Sequence, residues 1–239
     1  MVPNFDIKES RDQLILSLKS EGILKSKLVE DAIRAVPRER FLWKGTPNFL
    51  AYADEPQPLG RTGQTISAPH MVVMMLEELE LKSELRVLEI GTGSGYNAAL
   101  VGWITSQGRK KTDSRLVFSI ERDLELVEFA KRNIESVGLG SLVEIIAGDG
   151  SLGYPPGSEM ELYDRILVTA GAPKVPSFLK KQLKTDGILE VPVGGSTYQK
   201  LLKIIKKNPK DGKQAFEETK LVDCMFVPLV GQDAHSPVC

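Results

Sequence analysis

An apolar run leads directly into three alternating glycines at residues 87–95, which read Val-Leu-Glu-Ile-Gly-Thr-Gly-Ser-Gly. Glycine permits a tight turn and lets a ligand come close to the backbone. A helical pattern follows from residue 96 to residue 104, so the free N–H groups of its first turn face whatever is bound. The stretch therefore predicts a strand, a ligand-binding turn and a helix, which together form the basic unit of a parallel α/β sheet.

The same alternation of strand and helix continues on both sides of this turn. Strands are predicted at residues 85–90, 116–120, 142–147, 164–168 and 188–193, and helices at residues 69–79, 96–104, 124–137 and 175–183. Short connections between such units favour an α/β fold with a doubly wound, mostly parallel, Rossmann-like sheet that has helices on both faces. After residue 193 the alternation stops, and two antiparallel edge strands are predicted at residues 201–206 and 221–227.

The chain has 239 residues, a length that fits one large α/β domain better than two small ones. Residues 1–67 are predicted to hold two helices, at 6–21 and 26–35, and then a segment rich in Pro, Gly and aromatic residues that covers the ligand. Residues 68–193 are predicted to form the cofactor-binding core, and residues 194–239 the C-terminal strands and tail. We therefore expect a single domain.

The charge balance is close to neutral, with 31 Lys and Arg against 32 Asp and Glu. A duplex nucleic-acid binder usually carries a basic surplus, and we interpret the basic stretches at residues 109–111 and 203–213 as solvated loops and an edge strand. Cys224 and Cys239 form neither a disulfide framework nor a metal site. There is no signal-peptide pattern and no run of roughly 20 apolar residues. We expect a cytoplasmic protein that binds no nucleic acid, membrane or metal.

Acidic residues lie at or near the carboxyl ends of three of the predicted strands. Glu89 lies two positions before Gly91, where a negative charge suits a sulfonium or ammonium better than a pyrophosphate. Glu121 follows the next strand, where a carboxylate can accept hydrogen bonds from ribose hydroxyls. Asp149 follows the third strand, where it can accept a hydrogen bond from an adenine amino group. The glycine spacing is GxGxG, whereas an NAD-dependent oxidoreductase normally has GxGxxG.

This combination resembles the class I S-adenosylmethionine-dependent methyltransferases over roughly residues 85–193. The resemblance implies S-adenosylmethionine as the cofactor, S-adenosylhomocysteine as its product and no metal. The cofactor-binding residues that it implies are Glu89, Gly91, Thr92, Gly93, Ser94, Gly95, Glu121, Asp149 and Gly150.

The fold alone does not identify the methyl acceptor, but two classes of acceptor are disfavoured. Methylation of carbon 5 of a pyrimidine needs a cysteine nucleophile near the cofactor, and both cysteines come late in the chain. Methylation of an exocyclic base nitrogen usually uses an Asn/Asp-Pro-Pro-aromatic motif after the fourth strand. This chain has Thr-Ala-Gly-Ala-Pro there, at residues 169–173, so neither class of base methylation fits.

A more specific stretch is Gly-Gln-Thr-Ile-Ser-Ala-Pro-His-Met at residues 63–71. Ser67 is predicted to cap the helix that follows, with Pro69 tolerated in the first turn. The N-terminus of a helix offers unpaired N–H groups that suit a carboxylate. On these residues alone, Ser67 is either a cap with no further role or part of an acceptor site.

Several motifs occur in the order and at the spacing of one methyltransferase family. Besides the glycine turn and residues 63–71, they include Val-Pro-Arg-Glu-Arg-Phe at 36–41, Ala-Tyr-Ala-Asp at 51–54, Gly-Asp-Gly at 148–150 and Phe-Val-Pro-Leu-Val-Gly at 226–231. Over roughly residues 25–231 the chain resembles the protein-L-isoaspartate O-methyltransferases. One departure is the turn at residues 60–64, which is longer than usual by a single residue.

The resemblance implies that Thr65, Ile66 and Ser67 line the acceptor site and that Ser67 is the active-site serine. His70 either faces this site or is a first-turn residue without a chemical role. The implied reaction methylates the free carboxylate of L-isoaspartyl residues in damaged proteins and peptides, which begins their repair; acceptance of D-aspartyl residues stays open. Such a carboxylate titrates at about 3.5 and is ionised at neutral pH, so no general base is needed.

Three other functions are weighed against this one. They are a methyltransferase of the same fold that acts on RNA or a small metabolite, a non-catalytic binding protein that keeps the pocket, and an NAD-dependent oxidoreductase. The near-neutral charge, the presence of Glu89 and Ser67, and the glycine spacing disfavour them in turn. The protein is expected to be a monomer.

Overall fold

The computed structural model describes residues 6–108, 115–210 and 213–236. Six α-helices lie within these residues: α1 (Ile7–Ser20), α2 (Lys27–Ala35), α3 (Pro69–Glu78), α4 (Tyr96–Ser106), α5 (Leu124–Ser136) and α6 (Ser177–Gln182). The two predicted N-terminal helices are therefore present. Their ends lie within one residue of the predicted bounds. A segment of short 3₁₀ turns and loops separates them from α3.

Nine strands lie in the same residues: β1 (Gln57–Pro58), β2 (Thr65–Ile66), β3 (Val87–Ile90), β4 (Val117–Glu121), β5 (Val143–Ala147), β6 (Tyr163–Val168), β7 (Leu183–Gly194), β8 (Gln199–Lys210) and β9 (Lys213–Cys224). The first two form a small antiparallel hairpin, and the other seven form one sheet in the order β5-β4-β3-β6-β7-β8-β9. The first five strands in this order, from β5 through β3 to β7, pair in parallel. Strands β8 and β9 then pair antiparallel at the C-terminal edge. The predicted doubly wound sheet with an antiparallel C-terminal edge is confirmed.

Strand β3 lies where the chain reverses its direction of travel across the sheet. From β3 the chain moves outward through β4 and β5, and then returns to the other side of β3 for β6 and β7. Val87 packs into one apolar cluster, and Leu88 and Ile90 pack into another, as the alternation of side chains along a strand demands. Ligands in such sheets bind beyond the carboxyl ends of the strands at the reversal. The fold therefore places a site beside the glycine turn.

The join between α6 and β7 differs from the prediction. The helix was predicted over residues 175–183 and the strand from residue 188, but α6 ends at Gln182 and β7 begins at the next residue. Asp186, with a φ of 60°, stands within β7. Because this left-handed residue breaks the alternation of side chains that is typical of a strand, the first half of β7 was not predicted.

Strand β9 also ends earlier than the predicted strand at residues 221–227. The chain leaves the sheet edge after Cys224 and runs beside Gly171, whose N–H donates to the Val227 carbonyl at 2.8 Å and whose carbonyl accepts from Leu229 N–H at 2.8 Å. The apolar residues that suggested a continuing strand instead cross the carboxyl ends of the parallel strands.

Two of the stretches discussed above lie outside the described residues, namely residues 109–111 and Cys239. The basic stretch at residues 203–213 lies mostly on β8, which is flanked by β7 and β9. The interpretation of this stretch as a solvated loop and edge strand is therefore wrong for β8, where Lys206 is only 2% exposed. Residues 211 and 212 lie outside the described residues. In the part of the chain that the structure describes, no helix is both long enough and apolar enough to cross a membrane.

Candidate active site

A main cleft opens at the carboxyl ends of the parallel strands, beside the glycine turn. Its empty volume, counted out to the open mouth of the cleft, is about 710 Å³. Among the predicted site residues, those that line it are Thr65, Ile66, Ser67, Gly91, Thr92, Gly93, Ser94, Glu121 and Gly150. The predicted residues that do not line it are His70, Glu89, Gly95 and Asp149.

The glycine turn has a backbone that other residues would strain. Gly91, Gly93 and Gly95 have φ values of 92°, 54° and 86°, in the left-handed region that side chains disfavour. A Cβ atom on Gly91 would also lie 2.6 Å from the Thr169 hydroxyl. The turn can therefore keep its backbone exposed to a ligand only with glycine at these positions.

Glu121 joins the end of β4 to the glycine turn. One carboxylate oxygen accepts from Gly93 N–H at 3.0 Å, and the other accepts from Arg122 N–H at 2.9 Å and Asp123 N–H at 3.0 Å. A carboxylate has about four acceptor positions, so three backbone bonds leave capacity for a ligand hydroxyl. The side chain is buried and lines the main cleft, which places it as the ribose prediction requires.

Glu89 lies beneath the glycine turn rather than in the cleft. Its Oε2 accepts from Ser119 Oγ at 2.5 Å, and Ser119 Oγ lies 2.6 Å from Thr92 Oγ1. Its Oε1 is buried without a partner. Burial raises the pKa of Glu89 to about 8, with a further rise from the nearby Glu121 charge against a lowering by the Ser119 bond. At neutral pH this carboxyl is therefore mostly protonated until a positive charge comes near.

Asp149 binds the C-terminal tail. Its Oδ1 accepts from the N–H and hydroxyl of Ser151 at 2.9 and 2.7 Å, and its Oδ2 accepts from Gln232 N–H at 2.7 Å. A Cβ on Gly231 would lie 2.1 Å from Oδ1, so the tail approaches as closely as glycine allows. The proposed contact of Asp149 with an adenine amino group stays a prediction.

The tail itself forms one wall of the main cleft through residues 227–230. Beyond this wall, Asp233 anchors the chain to the start of α6. Its carboxylate accepts from Ser177 N–H at 2.6 Å and Ser177 Oγ at 2.8 Å, and Lys174 Nζ lies 3.0 Å away. The cleft thus depends on residues far apart in the sequence.

A second cleft adjoins the first and shares Thr65, Ser67, Thr169, Val227 and Pro228 with it. Its empty volume is about 1,230 Å³, and it opens to the surface. Its other walls carry mostly apolar side chains and a few polar ones, including Pro56, Ala68, His70, Met71, Ser196, Met225 and Phe226. Ser67 stands at the junction of the two clefts.

The prediction that Ser67 caps α3 is wrong. The N-cap is Ala68, and no side chain of the cap makes a hydrogen bond. Pro69 has no N–H to offer, and the His70 N–H donates to Asp54 Oδ1 at 2.8 Å. Asp54 therefore performs the capping from a distant part of the chain. Within the described residues, the Ser67 hydroxyl has no hydrogen-bond partner, so it is free to meet a ligand.

His70 faces the second cleft. Its Nδ1 lies 3.0 Å from the same Asp54 oxygen that accepts the His70 N–H. The carboxylate thereby fixes both the backbone and the ring of His70. His70 thus lies in the first turn of α3 and also lines the second cleft, and a chemical role for it stays a prediction.

Comparison with known proteins identifies the family. The model of the protein-L-isoaspartate(D-aspartate) O-methyltransferase family matches residues 9–234. The chain belongs to this family. A protein-L-isoaspartate O-methyltransferase of Pyrococcus horikoshii is 46% identical over 233 residues, which cover 97% of this chain and 98% of the relative. Another, from Hyperthermus butylicus, is 44% identical over 226 residues, covering 94% of this chain and 90% of the relative.

A solved structure shows the same architecture. A Plasmodium falciparum protein described as a protein-L-isoaspartate O-methyltransferase, solved with S-adenosylhomocysteine, superposes with a TM-score of 0.78 at 29% identity. The match covers 92% of this chain and 98% of that one. The class I methyltransferase fold predicted from the glycine turn is thus the fold of the family.

Several residues that line the main cleft were not predicted from the sequence. Tyr96, Asn97 and Arg122 line the main cleft, as does the tail at residues 227–230. The motif at residues 226–231 was visible in the sequence, but its apolar pattern indicated only a strand. Because this family motif lies after the last parallel strand, it could have indicated that residues 226–231 form part of the site.

Proposed function

We propose that this chain transfers a methyl group from S-adenosylmethionine to the free carboxylate of L-isoaspartyl residues in damaged proteins and peptides, leaving S-adenosylhomocysteine. The observation that carries the proposal is the position of Ser67, whose hydroxyl has no partner in the described residues, where the main cleft beside the glycine turn meets the second cleft. The names of the relatives and the ligand of the Plasmodium falciparum structure support the same assignment.

The residues of the main cleft fit S-adenosylmethionine. The glycine turn allows close approach of a ligand, since a Cβ on Gly93 would have only Leu59 and Thr65 atoms within 4 Å, at 3.5 and 3.9 Å. Glu121 can hold ribose hydroxyls, and the buried Glu89 suits a positive charge. When bound, S-adenosylmethionine supplies a methyl group carried on a positively charged sulfur. The chain's part is to orient the acceptor and exclude water.

Unpaired hydrogen-bond donors lie at the junction of the two clefts, where they can bind the acceptor carboxylate. Within the described residues, no protein group accepts a hydrogen bond from the amides of Ser67 and Ala68, and the Ser67 hydroxyl is also unpaired. These groups stand beside the first turn of α3, where helix geometry favours an anion. Because the carboxylate is already ionised, this site needs donors and not a base.

The test of the proposed function is transfer of labelled methyl from S-adenosylmethionine to two peptides of one sequence. One carries an isoaspartyl linkage and the other carries normal aspartate. We expect base-labile labelling of the isoaspartyl peptide alone. Equal labelling of both, or none while S-adenosylmethionine still binds, would reject isoaspartyl repair and direct attention to RNA and metabolite acceptors.

Ser67→Ala is expected to lower the rate of methyl transfer by at least about tenfold, because the acceptor loses an orienting donor at the reacting end. S-adenosylmethionine affinity should stay within about threefold of the wild type, since the hydroxyl serves the acceptor. The matched control is Ser196→Ala, a serine that also lines the second cleft. Similar losses in both variants, or no loss in Ser67→Ala, would show that the hydroxyl does not orient the acceptor.

Glu89 is expected to make S-adenosylmethionine binding depend on pH. A bound sulfonium favours the ionised carboxyl, whose pKa is raised to about 8 without it, so affinity should rise by about tenfold from pH 7 to pH 9. Glu89→Gln should lose this rise. Calorimetry with both proteins measures it, and S-adenosylhomocysteine, which lacks the sulfonium, is the ligand control. Parallel pH profiles of wild type and variant would contradict the expectation.

The finer statements about this protein stay predictions: a monomer in the cytoplasm, no binding of nucleic acid or membrane, and no metal. Whether D-aspartyl residues are substrates is measured in the same assay with a third peptide.

A further inference from the structure

Arg38 is a fully buried cation directly behind Ser67. Its side chain is 1% exposed. Nε donates to the Ala51 carbonyl at 2.8 Å, and Nη2 donates to the Ser67 carbonyl at 2.7 Å. The guanidinium carbon lies 5.0 Å from the centre of the Tyr96 ring, which also lines the main cleft. Arg38 itself lines neither cleft.

The charge of Arg38 is only partly offset by the protein, because Asp54 attracts it electrostatically without forming an ion pair with it. Nη1 is buried without a partner, and in the described part of the chain Arg38 forms no ion pair. Burial lowers the pKa of Arg38 to about 10, so the side chain is still charged at neutral pH. A buried charge without a counter-ion in direct contact is costly, and a carboxylate arriving nearby would reduce that cost.

The bond from Arg38 to Ser67 fixes the orientation of one peptide group. The Ser67 carbonyl and the Ala68 N–H belong to the same planar unit, in which a trans peptide points them in opposite directions. With the carbonyl held toward Arg38, the Ala68 N–H is directed away from it. Ala68 lines the second cleft, and its N–H has no acceptor in the described residues.

The same bond also strengthens the Ala68 N–H as a donor. A charged donor on a carbonyl polarises the amide, and hydrogen bonds in a chain reinforce one another. The effect is larger in a buried setting, where the effective dielectric constant is low. The Ala68 amide therefore combines a fixed direction with a raised ability to bind an anion.

We propose that Arg38 is a positioning residue for the acceptor, which aims and polarises the Ser67–Ala68 peptide so that the Ala68 N–H binds the acceptor carboxylate. The proposal rests on the proposed function, because it assumes that a carboxylate is the group that docks at Ser67. It assigns Arg38 to recognition of the charge of the acceptor rather than to packing alone.

The test compares two ligands that differ only in charge. One is the isoaspartyl peptide, and the other is the same peptide with a carboxamide in place of the carboxylate. Dissociation constants for both are measured with S-adenosylhomocysteine bound, so that no turnover occurs. We expect the wild type to prefer the carboxylate by at least about tenfold, as one charge-assisted hydrogen bond provides.

Arg38→Met should reduce this preference by at least about fivefold, and Arg38→Lys should retain most of it. The matched control is Tyr52→Phe, which removes the 2.8 Å bond to Glu39 from the same covering segment without changing its charge and should leave the preference unchanged. If Arg38→Met weakens both ligands by the same factor, or if Tyr52→Phe lowers the preference as much, the role of Arg38 is structural and the proposal is overturned.

A second measurement on the wild type applies even if Arg38→Met does not fold. A buried charge is screened only weakly by salt, so the preference for the carboxylate should stay within about threefold between 0.05 and about 1 M salt. A preference that falls to unity in high salt would assign it to exposed cations and overturn the proposal. A wild type that prefers neither ligand and methylates neither peptide overturns the proposed function together with the role of Arg38.

Discussion

Replacing Glu121 with alanine is expected to weaken S-adenosylmethionine binding by about 100-fold or more. The substitution removes the acceptor for ribose hydroxyls, and it also leaves three backbone N–H groups at Gly93, Arg122 and Asp123 without their partner. Hydrogen bonds to a charged group contribute about 1.5–3 kcal/mol each, and about 2.7 kcal/mol corresponds to 100-fold in affinity. The loss should therefore exceed that of any single contact.

Calorimetric titration with S-adenosylmethionine measures the effect, and thermal unfolding without ligand shows whether the variant is folded. Glu125→Ala serves as a control, because this acidic residue lies on the exposed first turn of α5. Glu121→Gln separates the two roles, since it keeps one carbonyl acceptor while losing the charge. If Glu121→Ala binds S-adenosylmethionine with an affinity within about fivefold of the wild type, the carboxylate is not needed to hold the glycine turn or the ribose.

Replacing Glu190 with methionine is expected to stabilise the protein by about 2 kcal/mol at pH 8. Glu190 lies in β7 opposite Lys203 of β8, and its side chain is completely buried with both carboxyl oxygens unpartnered. Burial raises the pKa of Glu190 well above its ordinary value. The folded protein therefore holds a neutral carboxyl that makes no hydrogen bond, which methionine of similar length can replace.

The gain from Glu190→Met should grow with pH. In the unfolded chain the carboxyl loses its proton above about pH 4.5, whereas the folded chain keeps it, so stability of the wild type falls as pH rises from there toward the raised pKa. The variant lacks this loss. Denaturant unfolding at pH 4.5 and pH 8 measures both gains, and Glu135→Met on the exposed face of α5 should stay within about 0.5 kcal/mol of wild type. A destabilised Glu190→Met protein would show that the carboxyl has a partner in solution.

Local pattern was sufficient to predict the parallel part of the fold and the glycine turn. The residues from Val87 to Gly95 specify a strand and a turn through their own apolarity and backbone freedom, and the structure has both. The same kind of reasoning failed for the cap of α3. The His70 N–H in the first turn of α3 donates to Asp54. Asp54 lies too far along the chain to be recognised as a cap from the residues around Ser67.

Long-range contacts explain the other differences. Asp149 and Gln232 stand 83 positions apart and meet at 2.7 Å, and nothing in the sequence near either residue indicates the other. Glu190 interrupts an apolar run, which in sequence suggests a side chain facing water. Its burial arises within the sheet, where β7 pairs with β8 and Glu190 stands opposite Lys203, so only the assembled sheet reveals it.

The position of the tail has a consequence for synthesis of the protein. A growing polypeptide has all five parallel strands once residue 194 has emerged, yet the wall formed by residues 227–230 does not exist until more than thirty further residues have been added. Capture of the methyl donor therefore requires a chain that already extends past residue 230. Partial translation products and fragments cut before residue 227 should fold much of the sheet without competing for the cell's methyl donor.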